Sequence, residues 1–421
     1  IKAGDRIVAV AQGDNDPWVD VVGWRLDDVV ERIRGQRGTV VRLKVLPGKA
    51  GATAAEKTVR LVRDTIKLEK QAAKSEIKTV RGPNDRDLRV GVITIPAFYS
   101  DFDAARRGDP NYRSTTRDVR RLLNELNGKV DGLVLDLREN GGGSLQEAVD
   151  LTGLFIGEGP IVQVRNVGGE VEIEKDSEPG QAYDGPLAVL VDHASASASE
   201  IFAGAIQDYG RGLVIGDPTF GKGTVQTLVD LNRFTQSREP QGQLKLTIAK
   251  FYRVNGSSTQ HRGVRPDIAI PSAVDSAEVG ESAQKNALPW DEIAAARYRG
   301  DRGIVALAPE LVRRHQARIA GDPDYQAFLR DLEFTRQQQD KTTVSLLESQ
   351  RRNERERIEA WQRERENRYR IAKGLPPLKA GDEIPEGKDS VIPDAALEES
   401  ARIVADLIVL GGAGGTLVMS R

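Results

Sequence analysis

Three short apolar runs constrain the fold of this chain most strongly. They occupy residues 132–137, 187–191 and 213–217. Apolar residues are continuous in each run rather than alternating with polar ones, which is typical of strands covered on both faces. Helical patterns lie between the runs, at about residues 116–126, from Ser144, and from Ile201 to Gly210. The alternation predicts an α/β core built on a mostly parallel, helix-covered sheet.

The loops that follow the three runs carry the residues best suited to chemistry. A glycine run at 140–143 follows the first, a serine-rich turn at 193–199 follows the second, and a loop that holds Lys222 follows the third. The carboxyl ends of parallel strands meet at one edge of a sheet, and ligands bind beyond that edge. The convergence of the three loops therefore predicts a functional site.

Ser197 is open to two interpretations. It lies on a predicted strand-to-helix turn, where a hydroxyl is exposed beside the N–H groups that open the helix, as acyl transfer requires. Ser197 and Glu200 also form the S-x-x-E pattern of a capping box, in which the serine does no more than cap the helix. The spacing alone leaves both interpretations open.

Composition and charge exclude several classes of function. The 421 residues carry a formal net charge of −2, no cysteine and three scattered histidines. Near-neutral charge gives no bulk electrostatic case for nucleic acid. The lack of cysteine excludes thiolate catalysis, cysteine-based zinc sites and disulfides, and no other metal site or cofactor is expected. No apolar run reaches the length of about 18 residues that a transmembrane helix needs, so no membrane span is predicted.

A serine hydrolase with a Ser–Lys pair is the first of three chemistries that fit the loops. Lysine acts as a general base only when neutral, so burial must lower the pKa of Lys222. Gly221 and Gly223 have no side chains and let that loop pack closely. A developing oxyanion would find backbone N–H groups in the glycine run and at Ala198.

The two other chemistries fit less well. Residues 216–222 match the P-loop pattern, but Gly223 stands where a P-loop needs serine or threonine, and no helix is predicted to follow. A Ser–His–Asp triad would use His193 or His261. His193 is only four residues before Ser197 on the same turn, so we expect both histidines to be surface or structural residues.

The regions before and after the core have different patterns. Residues 1–46 read as strand, helix and strand, and resemble the second half of a PDZ domain, a module that binds extended C-terminal peptides. We expect its carboxylate loop and groove strand to lie upstream of Ile1. Residues 47–87 are expected to be a linker and connecting strands. The charge pattern of residues 286–421 predicts solvated helices, followed by a last amphipathic helix at 395–410 and a flexible tail.

Four motifs together resemble the tail-specific, or C-terminal-processing, serine proteases. They are residues 135–143, 195–203, 220–226 and 263–268. The motifs are long and occur in the order found in that family. The PDZ-like segment before them and the charged helices after them are similar to its Prc/Tsp-like periplasmic branch. The resemblance covers nearly the whole chain.

The resemblance assigns roles to five residues. It implies that Ser197 is the nucleophile, that Lys222 is the general base, and that Gln226 orients the lysine. Gly143 and Ala198 match the two amides of the oxyanion hole.

The resemblance also implies an architecture and a setting. We expect an α/β multidomain protein with a crotonase/ClpP-like protease core at 88–285, a partial PDZ domain and a charged α-helical C-terminal domain. The implied activity is ATP-independent cleavage of proteins that end in apolar C-terminal tails, and the implied location of the enzyme is the periplasm. A tetratricopeptide-bearing lipoprotein is the implied adaptor. The alternative is a catalytically silent scaffold whose PDZ-like and helical parts bind partner proteins.

Overall fold

The computed structural model describes residues 1, 4–48, 55–64, 72–82, 86–176, 180–235, 239, 241–274, 279–301, 303–385 and 387–413. The chain divides into two compact units, residues 1–70 and 71–421. Most of the expected linker after residue 48 and the end of the expected flexible tail, from residue 414, lie outside the described residues.

The first unit is a small antiparallel sheet with one helix. Its elements are β1 (Arg6–Gln12), β2 (Val19–Asp20), α1 (Leu26–Ile33), β3 (Val40–Leu46) and β4 (Lys57–Val62). The strands lie in the order β2-β1-β3-β4. Val41, Leu43 and Val45 alternate along β3 and are buried with Val10 and Val21, as period-two patterning requires. The predicted strand–helix–strand order is confirmed, and β4 extends the sheet beyond residue 46.

The second unit contains all the remaining elements. Its strands are β5 (Lys74–Arg81), β6 (Asp87–Thr94), β7 (Gly132–Asp136), β8 (Gly159–Asn166), β9 (Val171–Asp176), β10 (Leu187–Val191), β11 (Leu213–Gly216), β12 (Thr224–Asp230), β13 (Gln243–Tyr252) and β14 (Ile268–Ala269). Its helices are α2 (Phe102–Arg106), α3 (Thr115–Leu126), α4 (Leu145–Ile156), α5 (Ala198–Asp208), α6 (Gly303–Gly321), α7 (Pro323–Gln339), α8 (Glu348–Ala372) and α9 (Ala395–Ala413).

The central sheet has the order β14-β11-β10-β7-β6-β5. Neighbouring strands are parallel from β14 to β6, and β5 is antiparallel to β6. The predicted mostly parallel sheet is therefore confirmed, and the three apolar runs are its strands β7, β10 and β11.

Helices cover both faces of this sheet. In β10, Leu187, Val189 and Val191 face a core that includes α3, α4 and α5. Ala188 and Leu190 face a second core that includes α6, α7 and α9. All five side chains are buried, which explains why the run is continuously apolar. Burying each of the larger side chains contributes about 1.5–3 kcal/mol.

A second, antiparallel sheet has the order β12-β13-β8-β9. The predicted pairing of β12 with β13 is confirmed, from Thr224 opposite Lys250 to Asp230 opposite Gln243. Because β12 begins two residues after Lys222, this sheet directly continues the loop that holds the lysine.

The charged C-terminal segment is helical, as predicted, with a break between α7 and α8. Its last helix, α9, lies against β5, β6, β7 and β10. Close approach is possible because β7 begins with a glycine: a Cβ on Gly132 would lie 2.6 Å from Val404. No described helix combines the length and apolar character needed to cross a membrane.

Candidate active site

The serine turn (residues 192–197) joins β10 to α5 and holds Ser197 in an unusual backbone conformation. Ser197 has φ 57° and ψ −110°, a sparsely populated region for a residue with a Cβ. Such strain costs on the order of 1–3 kcal/mol and persists only where the surroundings hold it. The Ser197 N–H donates to Glu200 Oε2 at 2.7 Å, which is the Glu200 half of the predicted capping box, whereas the Ser197 hydroxyl makes no capping hydrogen bond among the described residues. The predicted turn is confirmed.

The three serines of the run differ in what their hydroxyls do. Ser195 Oγ donates to the Leu137 carbonyl at 2.8 Å, and Ser199 Oγ donates to the Asn140 carbonyl at 2.8 Å. Both side chains are fully buried, whereas Ser197 is partly exposed. Of the three serines, only Ser197 is therefore partly accessible to solvent.

The glycine loop (residues 138–143) packs against the serine turn. Asn140 is the centre of the contact: its carbonyl accepts from the Ala196 N–H at 3.0 Å, and its side-chain amide donates to the Ile95 carbonyl at 2.8 Å. A Cβ on Gly142 would lie 2.7 Å from the Ala196 carbonyl oxygen and 2.8 Å from the Ser197 Cβ. Only glycine fits there, since its φ is also positive, at 98°.

Two backbone N–H groups near Ser197 are candidates to donate hydrogen bonds to a negatively charged oxygen. Ala198 is the first residue of α5, so its N–H is one of those left unpaired at a helix start. The peptide around Gly143 is fixed by a bridge to Phe98, whose N–H donates to the Gly142 carbonyl at 3.0 Å. Across the described residues, nothing accepts a hydrogen bond from the Gly143 N–H itself. The role of these two N–H groups as oxyanion donors stays a prediction.

The lysine loop (residues 217–223) is tied to the serine turn by one buried carboxylate, that of Glu200. Glu200 Oε1 accepts from Thr219 Oγ1 and from the Gly221 N–H, both at 2.7 Å. Oε2 accepts from the Lys222 N–H at 3.0 Å, as well as from the Ser197 N–H. The carboxylate therefore links the backbones of Ser197 and Lys222. The sequence alone assigns Glu200 only to the capping box, because nothing in the spacing between Glu200 and the lysine loop indicates that they are in contact.

Burial raises the pKa of Glu200 to about 7, although its four hydrogen bonds oppose the rise. An ionised carboxylate accepts all four hydrogen bonds, whereas a protonated one must use one oxygen as a donor. The linkage between the two loops is therefore strongest when Glu200 is charged.

Lys222 is partly buried in the lysine loop. Desolvation and the positive charge of Lys245 lower its pKa, while Glu281 and Glu200 oppose the change. A lowered pKa favours the neutral amine that a general base requires. Within the described part of the chain, no hydrogen bond joins Lys222 Nζ to Ser197 Oγ. The structure thus places the lysine loop beside the serine turn without a described Ser–Lys hydrogen bond.

Gln226 is exposed on β12 and lies apart from the contacts described above. Its side-chain nitrogen is 3.4 Å from Thr247 Oγ1 on β13, next to a bulge after Val225. No described hydrogen bond connects Gln226 to Lys222. Its role in orienting the lysine stays a prediction.

The histidines have structural surroundings. His193 is buried, with Nδ1 3.4 Å from Asp217. His261 has φ 63°, and its N–H donates to the Gly221 carbonyl at 2.8 Å. Neither ring is hydrogen-bonded to Ser197 among the residues described, so the triad alternative gains no support. The P-loop alternative also fails, because strand β12 rather than a helix follows the lysine loop. No three metal-binding side chains cluster in the described ranges.

Comparisons with known proteins match both halves of the second unit. The family model "Peptidase family S41" matches residues 89–270, and the model "C-terminal domain of tail specific protease" matches residues 274–409. The tail-specific protease of Haemophilus influenzae is 42% identical over 97% of this chain and 56% of its own length.

Two solved structures are also similar. A photosystem II D1 C-terminal processing protease is 28% identical, with a TM-score of 0.42, over 64% of this chain and 63% of that one. The PDZ domain of a Vibrio cholerae carboxy-terminal protease, in complex with peptide, is 50% identical over 15% of this chain and 62% of that one, with a TM-score of 0.14. This chain spans about half the length of the curated relatives it matches.

Proposed function

The chain belongs to the tail-specific proteases of peptidase family S41, and from that premise we propose that it is a serine endopeptidase with a Ser–Lys dyad. The observation that carries the proposal is the accessibility of Ser197. Ser197 is partly exposed on a strained turn, while Ser195 and Ser199 are buried and their hydroxyls are bonded to carbonyls.

The proposed reaction passes through an acyl-enzyme. Neutral Lys222 takes the proton of Ser197 as Oγ bonds to the scissile carbonyl carbon. The N–H groups of Gly143 and Ala198 donate to the oxyanion that forms. The protonated lysine then gives its proton to the leaving amine as the peptide C–N bond breaks. Water, deprotonated by the same lysine, hydrolyses the ester and restores the serine hydroxyl.

The Ser–Lys contact forms when substrate binds. Hydrogen bonds between catalytic groups are often absent or long in a free enzyme and tighten in the complex. The lysine loop continues directly into β12, so a small movement of this hairpin carries Lys222 towards Ser197. Gln226 also lies on β12, and its assigned role in orienting the lysine belongs to this closed state.

The substrates we propose are proteins with apolar C-terminal tails. The first unit, as the PDZ-like part, would bind the tail, and cleavage would need no ATP. The crotonase/ClpP-like core at 88–285, the C-terminal helical domain from 286, the periplasmic location and the tetratricopeptide lipoprotein adaptor belong to the same proposal. They rest on the resemblance of the motifs to the family.

Labelling with a fluorophosphonate tests the proposed nucleophile. The probe should attach at Ser197, and peptide mapping by mass spectrometry should find it there in proportion to lost turnover. An unfolded protein with an apolar tail should be cut faster than the same protein with a charged tail. Labelling at another serine would assign the nucleophile there and contradict the role of Ser197. No labelling and no cleavage, with or without a partner protein, would favour the silent scaffold.

Replacing Glu200 with glutamine should lower kcat by about tenfold or more. Each oxygen of Glu200 accepts two hydrogen bonds, and in glutamine one of these oxygens is replaced by an NH₂ group, which is itself a donor. At least one buried N–H or O–H would then be unpaired, at a cost of about 1–3 kcal/mol. The unpaired group loosens the link between the serine turn and the lysine loop, and a displacement of about 1 Å at a catalytic group can cost on the order of 100-fold in rate. Steady-state turnover by the purified wild-type and Glu200→Gln proteins measures the effect.

The matched control is Asp267→Asn. The pKa of Asp267 is also raised by desolvation, but its carboxylate accepts from Val214 and Gln207, away from the three loops. This variant should lose stability and keep its turnover. Equal losses of turnover in both variants would contradict the linking role of Glu200.

Glu200 should also make stability depend on pH. Its pKa is higher in the folded chain than the usual 4.5, so the native state binds the extra proton between 4.5 and about 7. The stabilisation from this group is present at low pH and is lost as pH rises through about 7. Turnover should change in the opposite sense, because the charged form holds both loops. Denaturant unfolding from pH 5 to 8 should show that the free energy of unfolding of the wild type decreases relative to that of Glu200→Gln.

A further inference from the structure

We propose that Asp394, just before the C-terminal helix α9, is a positioning residue for the glycine loop and acts through Arg138. The inference rests on the proposed function, because its consequence is the placement of an oxyanion donor. Asp394 belongs to the helical C-terminal segment, so the proposal gives that segment a part in catalysis that the motifs do not assign.

Arg138 is held by two carboxylates at once. Its Nε and Nη2 donate to Asp136 Oδ1 and Oδ2 at 2.9 and 2.7 Å. Its Nη1 and Nη2 donate to Asp394 Oδ1 and Oδ2 at 3.0 and 2.6 Å. Two edges of the planar guanidinium are therefore used in bidentate pairs, which fix its orientation as well as its position.

The glycine loop starts at this anchor. Glu139, the next residue, has φ 60°, and its N–H donates to Asp192 Oδ1 at 3.0 Å in the serine turn. A residue with a Cβ in that conformation must be held by its neighbours. Arg138 holds it from one side and Asp192 from the other. The direction in which the chain leaves towards Gly143 depends on both.

Asp394 is itself held in position by hydrogen bonds from the first turn of α9. Its carboxylate accepts from the Leu397 N–H at 3.1 Å, and its carbonyl accepts from the Glu398 N–H at 2.8 Å. Desolvation opposes ionisation of Asp394, but the hydrogen bonds and charge of Arg138 outweigh it and lower the pKa of this carboxyl. The residue is therefore charged at neutral pH and fixed to a helix that lies on the sheet.

The contribution of this ion pair to stability should be small. The side chains of Arg138 and Asp394 are 25% and 42% exposed, and ion pairs at that exposure contribute about 0–1 kcal/mol. Catalysis is more sensitive, because a displacement of about 1 Å at a catalytic group can cost on the order of 100-fold in rate. Loss of this ion pair should thus reduce activity strongly while changing stability little.

Glu398 provides a matched control on the same turn of α9. Its Oε1 is 2.8 Å from Lys78 Nζ on β5, and its side chain is 38% exposed. The pair resembles Arg138–Asp394 in distance and exposure, but β5 lies two strands from β7 in the sheet. Glu398→Gln removes an ion pair between α9 and the sheet without touching the glycine loop.

The test compares Asp394→Asn with Glu398→Gln in the purified protein. Asp394→Asn should lower kcat and the rate of fluorophosphonate labelling by about tenfold or more with little change in KM, because it displaces a transition-state donor. Arg138→Lys should give a similar loss, since an ammonium cannot hold two carboxylates bidentately. Glu398→Gln should keep wild-type kcat, and its unfolding temperature should match that of Asp394→Asn.

Amide hydrogen exchange in residues 139–143 provides a readout that needs no activity. Exchange should be faster in Asp394→Asn than in Glu398→Gln. Equal exchange in the two variants, or equal kcat, would overturn the inference even if the wild type is an active protease. A wild type that neither cuts nor labels at Ser197 would instead refute the proposed function, while exchange would still decide whether Asp394 positions the loop.

Discussion

Replacing Ser197 with alanine should reduce turnover of an unfolded protein substrate by about 10⁴-fold or more, because removal of a serine nucleophile leaves only the oxyanion hole and binding. Ser197 is the partly exposed member of its run, and the fluorophosphonate label should disappear with its hydroxyl. Turnover by matched amounts of folded protein, with labelling in parallel, measures the effect.

Stability should change little in the same variant. Alanine keeps the backbone N–H that donates to Glu200 Oε2, and no described hydrogen bond to the Ser197 hydroxyl is lost. Circular dichroism and thermal unfolding should therefore show a folded protein. A variant that unfolds would leave loss of structure as the explanation, and Ser197→Cys, which keeps the size of the side chain, would then separate chemistry from folding.

Ser199→Ala is the matched control. It removes a buried hydroxyl only two residues away, one that donates to the Asn140 carbonyl. We expect a loss of about 1 kcal/mol in stability and most of the turnover retained. Retained activity in Ser197→Ala together with loss in Ser199→Ala would move the nucleophile and contradict the proposal.

Replacing Lys222 with arginine should lower kcat by about 10²–10⁴-fold, the usual contribution of a general base. Arginine keeps the positive charge, but it cannot lose its proton in a protein. The backbone hydrogen bond from residue 222 to Glu200 does not depend on the side chain, so the lysine loop should stay in place. Single-turnover acylation separates this chemical step from product release.

Lys250→Arg is the control for Lys222→Arg. Lys250 lies on β13 of the same sheet and forms an ion pair with Asp291, which arginine can also make. Its turnover should stay near that of wild type. Near-normal turnover in Lys222→Arg would show that the lysine is not the base.

The pH profile of kcat/KM gives an independent check on Lys222. The desolvated lysine loses its proton below its usual value of 10.5, so kcat/KM should rise with pH through that lowered pKa. The positive charge of Lys245 contributes to the lowering. Lys245→Gln should therefore raise the pKa of Lys222 and move the acid limb to higher pH. If the acid limb of the profile does not move in Lys245→Gln, that limb reports the titration of a group other than Lys222.

Much of the core could be predicted from the sequence. A continuous apolar run is a local feature of the sequence. The runs that form β7, β10 and β11 are therefore recognisable without knowing which strands lie beside them in the sheet. Their parallel order follows from the helices between them. The loops at their carboxyl ends, with Ser197 and Lys222, were placed on one edge by the same argument.

Which serine of the run is accessible could not be read from spacing. Ser195, Ser197 and Ser199 are chemically alike in the sequence. The hydroxyls of the two buried serines donate to carbonyls far along the chain, those of Leu137 and Asn140. The resemblance to the family selected the middle serine, and the structure supplies a physical reason for that choice.

The sequence by itself determined the strands, the helices and the residue types available at the site, because these depend on neighbours along the chain. The tertiary structure alone decided how the loops are held to one another. Glu200 accepts from Lys222, which is 22 residues away, and Arg138 pairs with Asp394, 256 residues away. Such contacts leave no periodic trace, since a hydrogen bond depends on distance and angle in space and not on separation along the chain.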